Sequence, residues 1–369
     1  MVFDQLDQNP GLRFLFTLAV GVILIQGLQF AQPVLLPIAV AAFLAVICMP
    51  IVFWLESKRV PVMGAIVVTV LAVASVFALL IVVASLQLPE LQSRVATQIE
   101  ALQGPLDGWL SQIESRIPLV QEGELSDNFR ELLSLSNLAL LATGATTWAL
   151  SFLSSTFLVF LILAFSLSEA AVLPRKLRAI AGDGIASDQR MGKIVEEVQG
   201  YLVIKTLVSL ATGVLLGLWT WALGLDLPIL LGLIAFLLNY VPTIGSVIAS
   251  VPALVLALVQ VDPDTATFVG IDVQHAAIVG VGYLAVNIIF GNWLEPTLMG
   301  RRLGISTVIV VLSLVFWGWL WGPMGALLSV PLTMVVKIML ENTKDLKWVA
   351  VLLDKNVSDE AAASAGATP

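Results

Sequence analysis

The sequence predicts an all-α polytopic membrane protein with about six full spans. Two re-entrant helical hairpins in an inverted repeat and an external amphipathic helical segment complete the expected fold. Three observations carry this. Hydrophobic residues make up 59% of the 369 and charged residues only 12%, about half of the roughly 25% found in soluble domains. Mean hydropathy is +0.98. Two uncharged runs, Leu227 to Val261 and Leu303 to Val336, are 35 and 34 residues long. A membrane span needs roughly 20 residues, so each run is too long for one helix and too short for two.

In chain order, Asp4 and Asp7 precede the first apolar stretch and Arg13 is its only early base. A cleaved signal peptide wants a basic start, so the first helix is expected to be a retained span. Phe14 to Leu55 is uncharged, and Pro33 and Pro37 divide it into two spans joined near Gln29 to Pro33. Val62 to Leu86 forms the third span, so 1–87 holds three. The segment 88–137 changes character. Leu88, Leu91, Val95, Ile99 and Leu102 recur at helical spacing. Gly104-Pro105 is expected to stop that helix, Trp109 to Ile117 to form a second, and Ser126 to cap a third.

Leu138 to Ser168 holds a fourth span, and 138–200 closes with a cytoplasmic linker helix that starts at Ser187 and runs through Lys205 into the span Thr206 to Leu225. The stretch 201–345 is the expected transport core. It contains the first long run, an acidic loop with Asp262, Asp264 and Asp272, a span from about His275 to Leu294, and the second long run. The tail 346–369 is Ala- and Ser-rich at its end and expected to be disordered.

Several chemistries are excluded. Cys48 and His275 are the only residues of their kinds, which rules out an intrachain disulfide and a Cys or His zinc site. No P-loop occurs, and Gly280-Val-Gly282 lacks the third glycine of a dinucleotide fingerprint. No cofactor, no metal and no catalytic constellation is expected. The net charge of −8 gives no basic footprint for nucleic acid.

Lys and Arg mark cytoplasmic loops. Lys58 and Arg59, the group from Arg175 to Lys193, Arg301 and Arg302, and Lys337, Lys344 and Lys347 fall inside on this rule. The segment 88–135 has three bases against eight acids and falls outside. Both termini are then cytoplasmic. The Leu227 run enters and leaves from outside, and the Leu303 run from inside. Each run is broken by Pro and Gly, at Asn239-Tyr-Val-Pro242-Thr243-Ile-Gly245 and at Gly322-Pro-Met-Gly325, and each then runs into Ser-Val-Pro. A full span precedes each. This is the pattern of inverted repeats in secondary transporters, whose sites lie where discontinuous helices meet near the midplane. A single kinked helix with a loop is the other reading of each run.

At these residues the sequence resembles the AI-2E (autoinducer-2 exporter-like) transporter family. The resemblance rests on Tyr201-Leu-Val-Ile-Lys205 with Ser209 and Gly213, on Asn239 to Gly245 with Pro252, on Asn292-Trp-Leu-Glu-Pro296-Thr-Leu-Met-Gly300 with Leu303-Gly304, and on Gly322 to Gly325 with Pro331. It covers nearly the whole chain. One departure is Ile305-Ser306-Thr307, where the family often carries a proline. The resemblance implies a bacterial inner-membrane transporter. Some members resemble exporters of the quorum-sensing signal autoinducer-2, and others sodium–proton antiporters. Homo-oligomers, pentamers among them, are implied too.

The candidate substrate-binding or gating residues are Asn239, Pro242, Thr243, Gly245, Ser246, Asn287, Asn292, Pro296, Gly322, Gly325 and Ser329. The asparagines can bind ligand oxygens or hold helices together. Glu295 and Lys205 are the ion-coupling candidates, because an ionisable group at depth is a functional hypothesis by default. Lys205 can instead snorkel to the interface, and Glu295 can pair with Arg301 or Arg302. Three functions stay open: export of a small polar substrate, antiport of a monovalent cation against protons, and a non-transporting membrane scaffold. The partners expected are the lipid bilayer, the substrate, a coupling proton or sodium ion, and further copies of the chain.

Overall fold

A computed structural model describes residues 10–114, 156–169, 185–242, 244–261, 268–299, 305–341, 349 and 352–353. Helices α1 (Pro10–Phe30) and α2 (Gln32–Ser57) divide the first apolar run at Ala31. Pro33 lies in the first turn of α2, where its missing N–H has no intrahelical partner to lose. Helix α3 (Val62–Glu114) is a single 53-residue rod. At 1.5 Å per residue it is far longer than the ~30 Å hydrocarbon core of a bilayer. It does not stop at Gly104-Pro105, as the sequence predicted. A proline removes one hydrogen bond and favours a kink, and bonded turns on either side carry the helix across it. Trp109, Leu110 and Ile113 therefore belong to this helix and not to a second one. The helix predicted from Ser126, and the first part of the fourth span, lie outside the described residues.

Helix α4 (Thr156–Glu169) is the described part of the fourth span. Helix α5 (Ile185–Ala222) joins the linker helix to the next span without a break. The chain reverses through Gly224 (φ 72°) and Leu227 (φ 58°). The first long run then forms α6 (Pro228–Leu238), a turn beginning at Asn239, and α7 (Ile244–Leu258).

Strands β1 (Val259–Val261) and β2 (Phe268–Ile271) follow and pair antiparallel, with Val259 opposite Ile271; Asp262 and Asp264 of the expected acidic loop lie outside the described residues. This short ribbon is the described exception to an otherwise helical fold. Asp272 follows it and caps α8 (Val273–Val286) by accepting from the His275 N–H at 2.8 Å. A π-helix (Asn287–Leu294) and α9 (Glu295–Met299) continue the same rod. The second long run forms α10 (Thr307–Leu327) and α11 (Ser329–Glu341), and α10 is kinked at Trp321 and Gly322.

Among the described residues, five helices are long and apolar enough to cross a membrane: Gln32–Ser57, Val62–Glu100, Val198–Ala222, Val273–Met299 and Val308–Leu327. Their outward faces stay apolar. Leu79 is 63% exposed and Phe165 69%, a surface suited to lipid and costly in water.

The chain divides into two compact units. One contains 1–58, 158–199 and 303–369. Here the α1–α2 corner meets the kink in α10: Trp321 Nε1 donates to the Leu28 carbonyl at 3.2 Å, and Gln32 Nε2 donates to the Trp321 carbonyl at 3.4 Å. The other contains 59–157 and 200–302. Its core joins Leu216, Leu231, Ala235, Val279 and Tyr283 to Ala249, Ala253 and Ala257. Those three alanines recur every four residues and give α7 one small-residue face, which lets its neighbours approach closely.

Candidate functional site

The first hairpin is anchored at both feet by one helix. Arg94 on α3 pairs with Glu90 and with Asp226, two residues before α6 begins. One turn further along α3, Gln98 Nε2 donates to the Val259 carbonyl at 3.0 Å and lies 3.5 Å from the Leu256 carbonyl. The start of α6 and the end of α7 are thus both held within four residues of α3. A single span would put its ends ~30 Å apart. Helices α6 and α7, with 11 and 15 residues, are each too short to reach that far at 1.5 Å per residue.

At the other end, the turn docks on α5. Asn239 is buried, and its Nδ2 donates to Ser209 Oγ at 2.9 Å. The Tyr240 hydroxyl donates to Thr206 Oγ1 at 2.8 Å, and Thr206 in turn donates to the Leu202 carbonyl at 2.7 Å. Every polar group here that leaves water must find a partner, and these bonds supply one. Close approach of the helices makes this possible: a Cβ on Gly213 would stand 2.7 Å from the Gly232 carbonyl oxygen. Gly245, the first buried residue of α7, lies against the Leu238 carbonyl, leaving no room for a methyl. Pro242 and Ser246 are half-buried beside it, and Thr243 lies outside the described residues.

The ion pair adjoins this tip. Lys205 precedes Thr206 on α5, and its Nζ donates to both Glu295 oxygens, at 2.7 and 2.9 Å. The two side chains are 4% and 16% exposed. Two opposite charges held this closely inside an apolar unit neutralise one another, and either alone would be costly. Glu295 directly follows the π-helix, on which Asn287 is half-buried and Asn292 exposed. Pro296 is exposed as well. Arg301 and Arg302 lie outside the described residues; the partner observed for Glu295 is Lys205.

The second break has related geometry within its own unit. Gly322 adopts φ 67° and ψ −155°, a backbone state open essentially to glycine. Gly325 lies against the Trp317 carbonyl much as Gly245 lies against that of Leu238. Ser329 is fully buried. Trp317 Nε1 donates to Thr333 Oγ1 at 3.0 Å and so ties α10 to α11. The rings of Trp317 and Trp321 pack 5.1 Å apart, whereas Trp319 is 62% exposed.

Sequence reasoning missed Thr206 and Tyr240 as partners of the tip. The available signal was the polar stripe Tyr201, Lys205 and Ser209 at four-residue spacing, with Thr206 beside it, on an otherwise apolar stretch of helix. Among the described residues, no three His, Cys, Asp or Glu side chains gather as metal ligands.

Apolar helices of spanning length, short paired helices broken at Pro and Gly, and a buried charge pair define a multi-pass membrane protein of the transporter class. The sequence profile of the AI-2E family transporters matches residues 15–345, and the chain belongs to this family. It is 37% identical over 350 residues to the AI-2 transport protein TqsA of Escherichia coli (strain K12), covering 93% of this chain and 96% of that protein. It is 32% identical over 347 residues to YhhT of the same organism, covering 94% and 95%. A sodium-lithium/proton antiporter of Halobacillus andaensis is 22% identical over 355 residues, covering 90% and 96%.

Proposed function

We propose that the chain is a secondary transporter of the bacterial inner membrane that exports a small polar molecule, autoinducer-2 or a metabolite of similar chemistry. The observation that carries this reading is the first hairpin: both feet on α3, and a polar tip on α5 beside a buried ion pair. Such a tip is a re-entrant element, since broken backbone at membrane depth survives only inside protein or beside a water-filled cavity. Gly245, against a carbonyl of α6, and Gly325, against a carbonyl of α10 before its kink, support an inverted repeat of two such hairpins. The 37% identity to TqsA supports autoinducer-2 as the first substrate to try. Both termini are cytoplasmic in this reading, and the working form is a homo-oligomer. The test is autoinducer-2 uptake into everted membrane vesicles. Uptake above that of vesicles without the chain supports export of this signal, and equal uptake contradicts it.

A second reading is exchange of a monovalent cation for protons. The buried pair of Lys205 and Glu295 favours it, as does the likeness to the Halobacillus antiporter. Proteoliposomes holding a pH dye should then respond to added sodium or lithium, and Glu295→Gln should abolish the response. An unresponsive dye in folded protein removes this reading.

A further inference from the structure

The α5 helix faces two neighbours. Through Thr206, Ser209 and Gly213 it meets the first hairpin, as described above. Another face meets the α8 rod. Trp219 lies against Gly282, where an added Cβ would collide with the indole, and Lys205 binds Glu295. Residues 205 to 219 thus run antiparallel beside residues 295 to 282. Lys205, Thr212, Leu216 and Trp219 share this face by helical spacing. Thr212 falls midway between the two contacts in sequence, at the level of the π-helix Asn287–Leu294.

Three polar atoms of this seam are buried without a hydrogen-bond partner: Thr212 Oγ1, Trp219 Nε1 and the Tyr283 hydroxyl. Thr212 and Tyr283 are each only 5% exposed, and Tyr283 packs in the same core as Leu216. Buried polar groups are almost always paired, and each exception calls for a reason. The rod also departs from α-helical geometry along this stretch, and π-helical turns occur mostly at functional sites. Asn287, the first residue of the π-helix, is half-buried there.

We propose that the seam between α5 and the π-helix binds the transported solute, through the Thr212 and Tyr283 hydroxyls and the Asn287 amide. This rests on the transport reading above and names the substrate class: a small neutral molecule bearing hydroxyl and carbonyl oxygens. Hydroxyls and an amide both donate and accept, and the Trp219 N–H only donates. The set suits oxygen-rich neutral solutes. A bare cation would need a carboxylate or several carbonyls, and Glu295 is already committed to Lys205. An anion would need an uncompensated positive charge, and Lys205 is neutralised. The ion pair ends the seam beside the hairpin tip, so opening that pair would admit or release the solute.

The test uses the full-length protein. Thr212→Val and Tyr283→Phe remove the hydroxyls while nearly keeping shape. Removing an unpaired buried hydroxyl is neutral or stabilising for the fold, so Tm should hold or rise. Autoinducer-2 uptake into everted vesicles should nevertheless fall about tenfold or more, as expected when a site loses a polar contact to its substrate. Wild-type uptake by both variants overturns the proposal. A second arm does not depend on the substrate's identity. In a Cys48→Ala background, Thr212→Cys should react with a small hydrophilic methanethiosulfonate, whereas Leu210→Cys, at a position 51% exposed on an apolar outer face that a bilayer would cover, should not. An unreactive Thr212→Cys variant overturns the proposal whatever the uptake shows. If the wild-type chain moves no autoinducer-2, the export reading fails and the labelling alone decides this site.

Discussion

Replacing Glu295 with Gln leaves the Lys205 ammonium buried without a counter-charge. The Lys205 side chain is 4% exposed and that of Glu295 16%, so solvent does little to screen the loss. Breaking a buried pair by removing one partner costs about 3–5 kcal/mol. The partial exposure of Glu295 places this pair near the lower end, at about 3 kcal/mol. At roughly 2–4 °C per kcal/mol for a chain portion of this size, the midpoint should fall by about 6–12 °C. Lys205→Met should cost a similar amount, since it strands the carboxylate. The double variant Lys205→Met/Glu295→Leu should recover most of the loss, because exchanging a whole buried pair for apolar groups is often neutral or stabilising. Thermal unfolding in detergent, followed by tryptophan fluorescence, reads all four proteins. A drop below about 2 °C in both single variants, or a double variant no more stable than the singles, would refute the view that these groups are bound to each other inside the unit.

Three further outcomes follow from the two breaks and the anchor. Gly245→Ala places a methyl against the Leu238 carbonyl; overpacking of this kind costs about 1–3 kcal/mol, and both Tm and transport should fall. Gly322→Ala, at φ 67°, should lower Tm by a comparable strain of about 1–3 kcal/mol, whereas Gly224→Ala, at φ 72° but outside both breaks, should leave transport intact. Arg94→Ala removes contacts that are roughly half exposed, so stability should change by about 0–1 kcal/mol. Gln98→Leu, which also frees the carbonyls at the hairpin's far foot, should loosen the hairpin more, read as faster hydrogen exchange in Ile244–Leu258.

The breaks were legible in the sequence because Pro and Gly inside long uncharged runs leave few alternatives. Pro242 and Gly245 fall where α6 gives way to α7, and Gly322 and Pro323 fall at the kink inside α10. Two features were not legible for physical reasons. Lys205 and Glu295 are ninety positions apart, and nothing local says that their helices run side by side; the sequence offered the nearby Arg301 and Arg302 instead. The π-helix has no propensity signature, since Asn-Ile-Ile-Phe-Gly-Asn-Trp-Leu reads as ordinary apolar helix. Gly104-Pro105 misled in the other direction. A strong local stop signal was overridden in a helix long enough to carry one missing bond. Strands β1 and β2, three and four residues long, are too short for an alternating pattern to stand out in the sequence.

Secondary export by this chain is tested by autoinducer-2 accumulation in everted vesicles that carry the wild-type protein, under an imposed proton or sodium gradient. Accumulation should exceed that of vesicles lacking the chain and should be lost in Gly245→Ala. Equal levels in the two kinds of vesicle under both gradients, with the chain shown to be folded in the membrane, would contradict it.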